Sequence, residues 1–178
     1  MEKCTRYTPV QIVLHWISAA VILWAMLSGF YVALFDVAPV TKAWVGFVNV
    51  SLTSLYIPVF VLRVYSSFMH GFSTCGQTRS VNEYIALLVH KAMYVMVGVV
   101  LVTGVLMMDR PINIFDVLVV AQLLTDPAAI EYFMRVHIQA CIALLALIAM
   151  HVGAVIKHEV CGRRVLKNMS FSQGADAR

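Results

Sequence analysis

The chain has 178 residues, 61% of them hydrophobic and only 12% charged, with a mean hydropathy of +0.85. A soluble domain carries about 25% charged residues, so this composition excludes a secreted disulfide scaffold, a disordered tail and a nucleic-acid binder. The formal charge of +4 is explained below by where the basic residues fall along a membrane-spanning chain.

Four apolar stretches, near residues 10–34, 43–66, 84–108 and 130–156, are each long enough to cross a ~30 Å hydrocarbon core as a helix. The first starts within ten residues of Met1, is too long for a signal-peptide core and lacks a small-residue cleavage site, so it reads as a retained span. The connection around Asp36 to Lys42 is a short turn, and Pro58 is expected to kink the second span. Ser66 to Glu83 reads as a polar loop. Between Asp109 and Pro127 the apolar piece Ile112 to Leu124 is too short to span, which fits a re-entrant or interfacial segment. Past His158 the chain turns basic and then small and polar, with disorder expected over about 170–178. One domain, 1–178, accounts for the whole.

If the spans alternate in direction, Lys3, Arg6, Arg63, Arg79, Lys91, Lys157, Arg163, Arg164, Lys167 and Arg178 share one side, against Lys42, Arg110 and Arg135 on the other. The positive-inside rule then puts both termini in the cytoplasm. The fold class is all-α: an integral membrane four-helix bundle, up-down-up-down. Cys4, Cys75 and Cys161 fall on the reducing side and Cys141 within a span. That excludes a thiol oxidase, which needs cysteine pairs facing the oxidising compartment.

Four of the six histidines, His15, His90, His137 and His151, lie inside spans. An ionisable side chain at membrane depth is costly and marks a functional candidate. His137 and His151 are fourteen residues apart, so on a helix they leave nearly one face about 21 Å apart along the axis, the separation that two stacked haems need. His15, His90 and His151 all sit about six residues inside the cytoplasmic ends of their spans. A b-type haem takes two axial imidazoles from facing helices, and spacing alone does not say which two of the three.

The run Arg6-Tyr7-Thr8-Pro9-Val10-Gln11-Ile12-Val13-Leu14-His15-Trp16 resembles the opening of bacterial cytochrome b561, the di-haem four-helix membrane cytochromes that include superoxide oxidase. The resemblance continues through Leu88-Val89-His90, Val105-Leu106-Met107-Met108, the His137 and His151 pair and His158, covering almost the whole chain. It implies His15 and His151 as iron ligands of a cytoplasmic-side haem b, with His90 and His158 as candidates for a quinone pocket beside it. It also implies a histidine near the periplasmic end of the second span, opposite His137. Asn49 stands there instead, and asparagine is a poor iron ligand.

Three arrangements are open at the periplasmic level. The second haem is absent, with His137 hydrogen-bonded to Asn49; or His137 is its sole protein ligand, leaving an open iron position; or Met26, eleven residues after His15 and within about 20° of its face, supplies a thioether. Arg6 and Arg63 are candidate partners for haem propionates.

The expected function is that of a bacterial inner-membrane b-type cytochrome, embedded in the lipid bilayer, that moves electrons between haem and a membrane quinone such as ubiquinone, in the manner of a superoxide oxidase. The alternative is a membrane-anchor subunit that receives electrons from a partner dehydrogenase or cytochrome c. The periplasmic face bears on this choice. It holds Lys42, Arg110 and Arg135 against Asp36, Asp109, Asp116, Asp126 and Glu131, an acidic balance that does not steer an anion.

Overall fold

In the computed structural model, which describes residues 8–71 and 81–162, four long helices run in chain order as α1 (Pro9–Leu34), α2 (Pro39–Gly71), α3 (Val81–Leu106) and α4 (Pro127–Val160). All four are long and apolar enough to cross a membrane. The expected tail, together with Cys4, Cys75, Arg6 and the His70 side chain, lies outside the described residues.

Local chemistry sets the helix starts. At α1 the Thr8 hydroxyl accepts from Gln11 N at 3.3 Å while Gln11 Oε1 accepts from Thr8 N at 2.9 Å, a reciprocal cap followed by Pro9. At α4 the Asp126 carboxylate accepts from the Ala128 and Ala129 amides at 3.2 and 3.3 Å, with Pro127 in the first helical position. The helices outrun the apolar stretches because backbone hydrogen bonding continues into polar sequence. His158, read from the sequence as lying just beyond the last span, is therefore in the last turn of α4. Pro58 lies inside α2 without ending it.

Side-chain pairs fix the packing. His15 meets Arg63 and Ser28 meets Asn49 across α1 and α2. A methyl group on Gly98 would touch Phe60 at 3.7 Å, and Arg63 lies over Tyr94, joining α2 to α3. His90 meets His151 and Thr103 meets His137 across α3 and α4. In each pair of helices one partner's number rises as the other's falls, so successive helices run antiparallel. At mid-height each helix gives one residue to a buried layer of Met26, Tyr56, Val97 and Leu144. Leu144 lies seven residues from both His137 and His151, so the layer separates the two histidine levels by about 10 Å on either side.

Between α3 and α4 the sequence suggested a re-entrant or interfacial segment. The structure has a β-hairpin, β1 (Ile112–Ile114) and β2 (Leu118–Val120), paired antiparallel with Ile112 opposite Val120. The apolar run carries β-branched residues interrupted by Asn113 and Asp116, which favours a strand pair over a helix. Phe115 and Asp116 adopt φ of 48° and 58°. That conformation is easy for Asp and unfavourable for Phe. The Phe115 conformation is held from α2: Ser51, fully buried, accepts from the Phe115 amide at 3.1 Å and donates to the Asn113 carbonyl at 3.2 Å, and Phe47 meets the Phe115 ring edge-on.

Ser51→Ala leaves the Phe115 N–H and the Asn113 carbonyl without their shared partner. A loss of about 1–3 kcal/mol in stability is expected, with earlier proteolytic cleavage in the hairpin than in the helices. Cleavage kinetics and thermal unfolding in detergent measure both.

Candidate functional site

An open-sided cleft of about 370 Å³ lies at the end of the bundle that carries Pro9 and Val160. His15 from α1, Tyr56 and Arg63 from α2, His90 and Tyr94 from α3, and His151 from α4 all line it, among apolar neighbours. Three of the histidines singled out from sequence are thus brought together. His158, half-buried and seven residues beyond His151, lies two turns nearer the helix end on almost the same face.

Hydrogen-bond chemistry fixes two tautomers here. A guanidinium can only donate, so Arg63 Nη2, 2.8 Å from His15 Nδ1, makes that nitrogen the acceptor and leaves the proton on Nε2. A carbonyl can only accept, so His90 Nδ1, 2.8 Å from Ala86 O, carries its proton and leaves Nε2 bare. The His90 and His151 rings meet edge-to-face, with centroids 4.8 Å apart. Arg63 also lies over the Tyr94 ring at 5.4 Å. The Tyr56 hydroxyl is buried and has no hydrogen-bond partner.

The other level is built around His137. Thr103 gives its hydroxyl proton to Val99 O at 2.6 Å, so its oxygen accepts from His137 Nδ1 at 3.1 Å, a proton shared with Val100 O at 3.1 Å. His137 Nε2 then points its lone pair towards Cys141 Sγ, 3.5 Å away. This pattern, one ring nitrogen donating to the backbone and the other left bare, is the one that orients histidine ligands in metal sites. Gly104 permits it: a Cβ there would lie 3.3 Å from His137 Cε1.

Asn49 is engaged elsewhere. Its Oδ1 accepts from Ser28 at 3.0 Å, so the pairing of Asn49 with His137, one of the three arrangements open at this level, is replaced by one link between α1 and α2 and another between α3 and α4. Each polar group takes the partner on the helix packed most closely against its own. Met26, the thioether donor in another of those three arrangements, is buried in the mid-bundle layer against Tyr56, Val97 and Leu144. Burial there suits its apolar, adaptable side chain.

The sequence did not indicate Thr103, the Val100 carbonyl or the Arg63–His15 contact. The first and last were open to a level count, since residues summing to about 240 on α3 and α4, or to about 78 on α1 and α2, lie abreast once the helices run antiparallel. The orphaned Tyr56 hydroxyl had no sequence signal.

The donor set fits a haem: imidazoles on different helices, an apolar surround, and a cation with an unsatisfied buried hydroxyl in the same cleft. Fold and site together define a membrane-embedded b-type cytochrome. The family model for prokaryotic cytochrome b561 matches residues 6–172, and the chain belongs to that family of membrane electron-transfer proteins, whose cofactor is haem b. No individual curated relative matches it.

Proposed function

We propose that the chain carries electrons between one haem and a membrane quinone, in a bacterial inner membrane with both termini cytoplasmic. The observation that carries this reading is the convergence of His15, His90, His151 and Arg63 on one cleft near a bundle end. Haem bound there supplies one-electron redox chemistry. The chain's own residues do the rest.

His90 and His151 touch each other on neighbouring helices and leave no gap for a porphyrin between them, so a bis-imidazole site draws one ligand from His15. We assign His15 and His151 as that pair. His90 and His158 remain to exchange protons with a quinone ring through their ring nitrogens. Phe60, Val97 and Ile22 line the cleft and exclude water from it.

At the second level His137 presents a ligand-ready nitrogen, while Asn49, committed to Ser28, offers no competent partner for an opposing axial position. The reading is therefore of one bis-histidine haem, with His137 held in reserve by Thr103 and Val100. The ten-to-three split of basic residues supports the orientation.

For the electron donor, the hairpin-end face has five acidic and three basic groups, and of those three Arg135 already sits 3.8 Å from Glu131. This favours delivery by a protein partner, as in a membrane-anchor subunit, over capture of an anion such as superoxide.

Three outcomes test the proposal. His15→Ala and His151→Ala each abolish the low-spin absorption and EPR signals of the haem, whereas His90→Ala keeps them and slows quinone reduction; loss of the low-spin haem in His90→Ala would reassign the pair. Asn49→His raises haem content from one towards two per chain by pyridine haemochrome assay, and a wild-type ratio of two would refute the single-haem reading. Superoxide reduces the protein well below 10⁸ M⁻¹s⁻¹ with no acceleration at low salt in stopped-flow, because an acidic face provides no attractive field to be screened.

A further inference from the structure

The two edges of the hairpin have different surroundings. β1 turns its outer edge to α2, where Ser51 donates to the Asn113 carbonyl at 3.2 Å, and its Ile112 side chain is buried. β2 has no neighbour beyond β1 among the described residues. In an antiparallel pair a residue's N–H and C=O point to the same side. Asn113 sends its carbonyl to Ser51, away from β2, so Val119 opposite it turns its own N–H and C=O to the open edge. Leu118, Val119 and Val120 are 56, 64 and 41% exposed, and because side chains alternate along a strand, neither face of β2 is covered. Val117 before it and Leu123 after it are exposed as well.

Neither hydrocarbon nor water suits such a strand. In hydrocarbon an open sheet edge leaves backbone groups without partners, which a bilayer does not tolerate. In water an exposed apolar edge is a template for another strand. Residues 1–7, 72–80 and 163–178 join the described helices at the other end of the bundle, across the membrane from β2, so the cover comes from another molecule. Charge says which kind. The uncharged run 117–125 lies between Asp116 and Asp126, with Asp109 shortly before β1, while Arg135 is already paired with Glu131. A second copy would set the same carboxylates against these, whereas a basic segment complements them.

We propose that the open edge of β2 docks an extended segment of a partner protein, apolar at its centre and flanked by Lys or Arg, which adds a third strand to the hairpin. The Val119 N–H and C=O hold its backbone, the side chains of Leu118, Val119 and Val120 pack against its apolar centre, and Asp116 and Asp126 select its charge. The proposal rests on the reading of a protein electron donor for what the partner does. The strand site itself follows from the edge.

The test uses the haem-loaded full chain in phosphatidylcholine nanodiscs and, as probe, a synthetic peptide of alternating valine and threonine with lysines at both ends. Fluorescence anisotropy is expected to show saturable binding that weakens with salt, and hydrogen exchange is expected to slow in the segment 117–121 while the helices are unchanged. Val119→Pro removes the outward N–H and leaves the ladder to β1 intact; it is expected to weaken binding roughly fivefold or more, the order of a lost backbone hydrogen bond. Asp116→Asn weakens it up to about fivefold, the order of one cross-strand charge pair. Both variants keep the haem spectrum. If Val119→Pro loosens the hairpin, seen as faster exchange at 112–114, Val119→Lys gives the same reading by repelling the lysine-flanked probe. Equal affinity for a glutamate-flanked peptide, no protection of 117–121, or a Val119 amide already protected without peptide, as burial in lipid would give, overturns the proposal. So do dimers of the chain alone that Val119→Pro abolishes, which would give the edge to a second copy. The donor reading is judged apart, by the superoxide rates above: peptide binding together with fast superoxide reduction keeps the strand site and refutes that reading.

Discussion

A guanidinium or imidazole inside a hydrocarbon layer persists only when something answers it, and the arrangement of this bundle follows from that constraint. Four pairs link embedded polar side chains on neighbouring antiparallel helices: His15 with Arg63, Ser28 with Asn49, His90 with His151, and His137 with Thr103. Lipid tails give apolar faces no reason to prefer each other over solvent. These links, with the single Met26–Tyr56–Val97–Leu144 layer, therefore specify the register of four otherwise greasy helices.

The same constraint divides the molecule into two unlike levels. At the end carrying Pro9 and Val160, the polar groups of four helices converge on a cleft. At the hairpin end they close off pairwise, α1 with α2 and α3 with α4, and no polar contact joins Asn49 to His137 among the described residues. One residue type accounts for the difference. A histidine at 49 would bring a second ring to that level, whereas the amide is short and is taken up by the hydroxyl one helix away. The hairpin adds a tie at this end through Ser51, two residues beyond Asn49, so α2 is held on both sides at the level of Asn49.

Much of this was legible in the sequence because hydropathy and histidine spacing report on periods that a membrane enforces. Four spans, the shared depth of His15, His90 and His151, and the odd place of Asn49 all follow from counting along helices. What the counting missed belongs to two physical classes. Partner choice depends on which helices pack closest, so the Asn49–His137 pairing that spacing left open across the bundle gives way to Ser28 on the adjacent helix. Tautomers depend on what each ring nitrogen touches, and a backbone carbonyl such as Val100 O or Ala86 O leaves no mark in the sequence. The hairpin was missed for a third reason: length and hydropathy alone fit a strand pair and an interfacial segment equally well, and only the β-branched residues broken by Asn113 and Asp116 separate the two.

The tautomers carry the functional argument beyond what residue identity could. His90 and His137 each donate from Nδ1 to a carbonyl and keep Nε2 bare, the state of a ligand or a proton acceptor; His15, expected to hold iron, is in the opposite state because a cation sits on it. Read without its partner, His15 would be the least prepared ligand in the cleft. With it, the same contact satisfies a half-buried imidazole and a guanidinium at membrane depth at once.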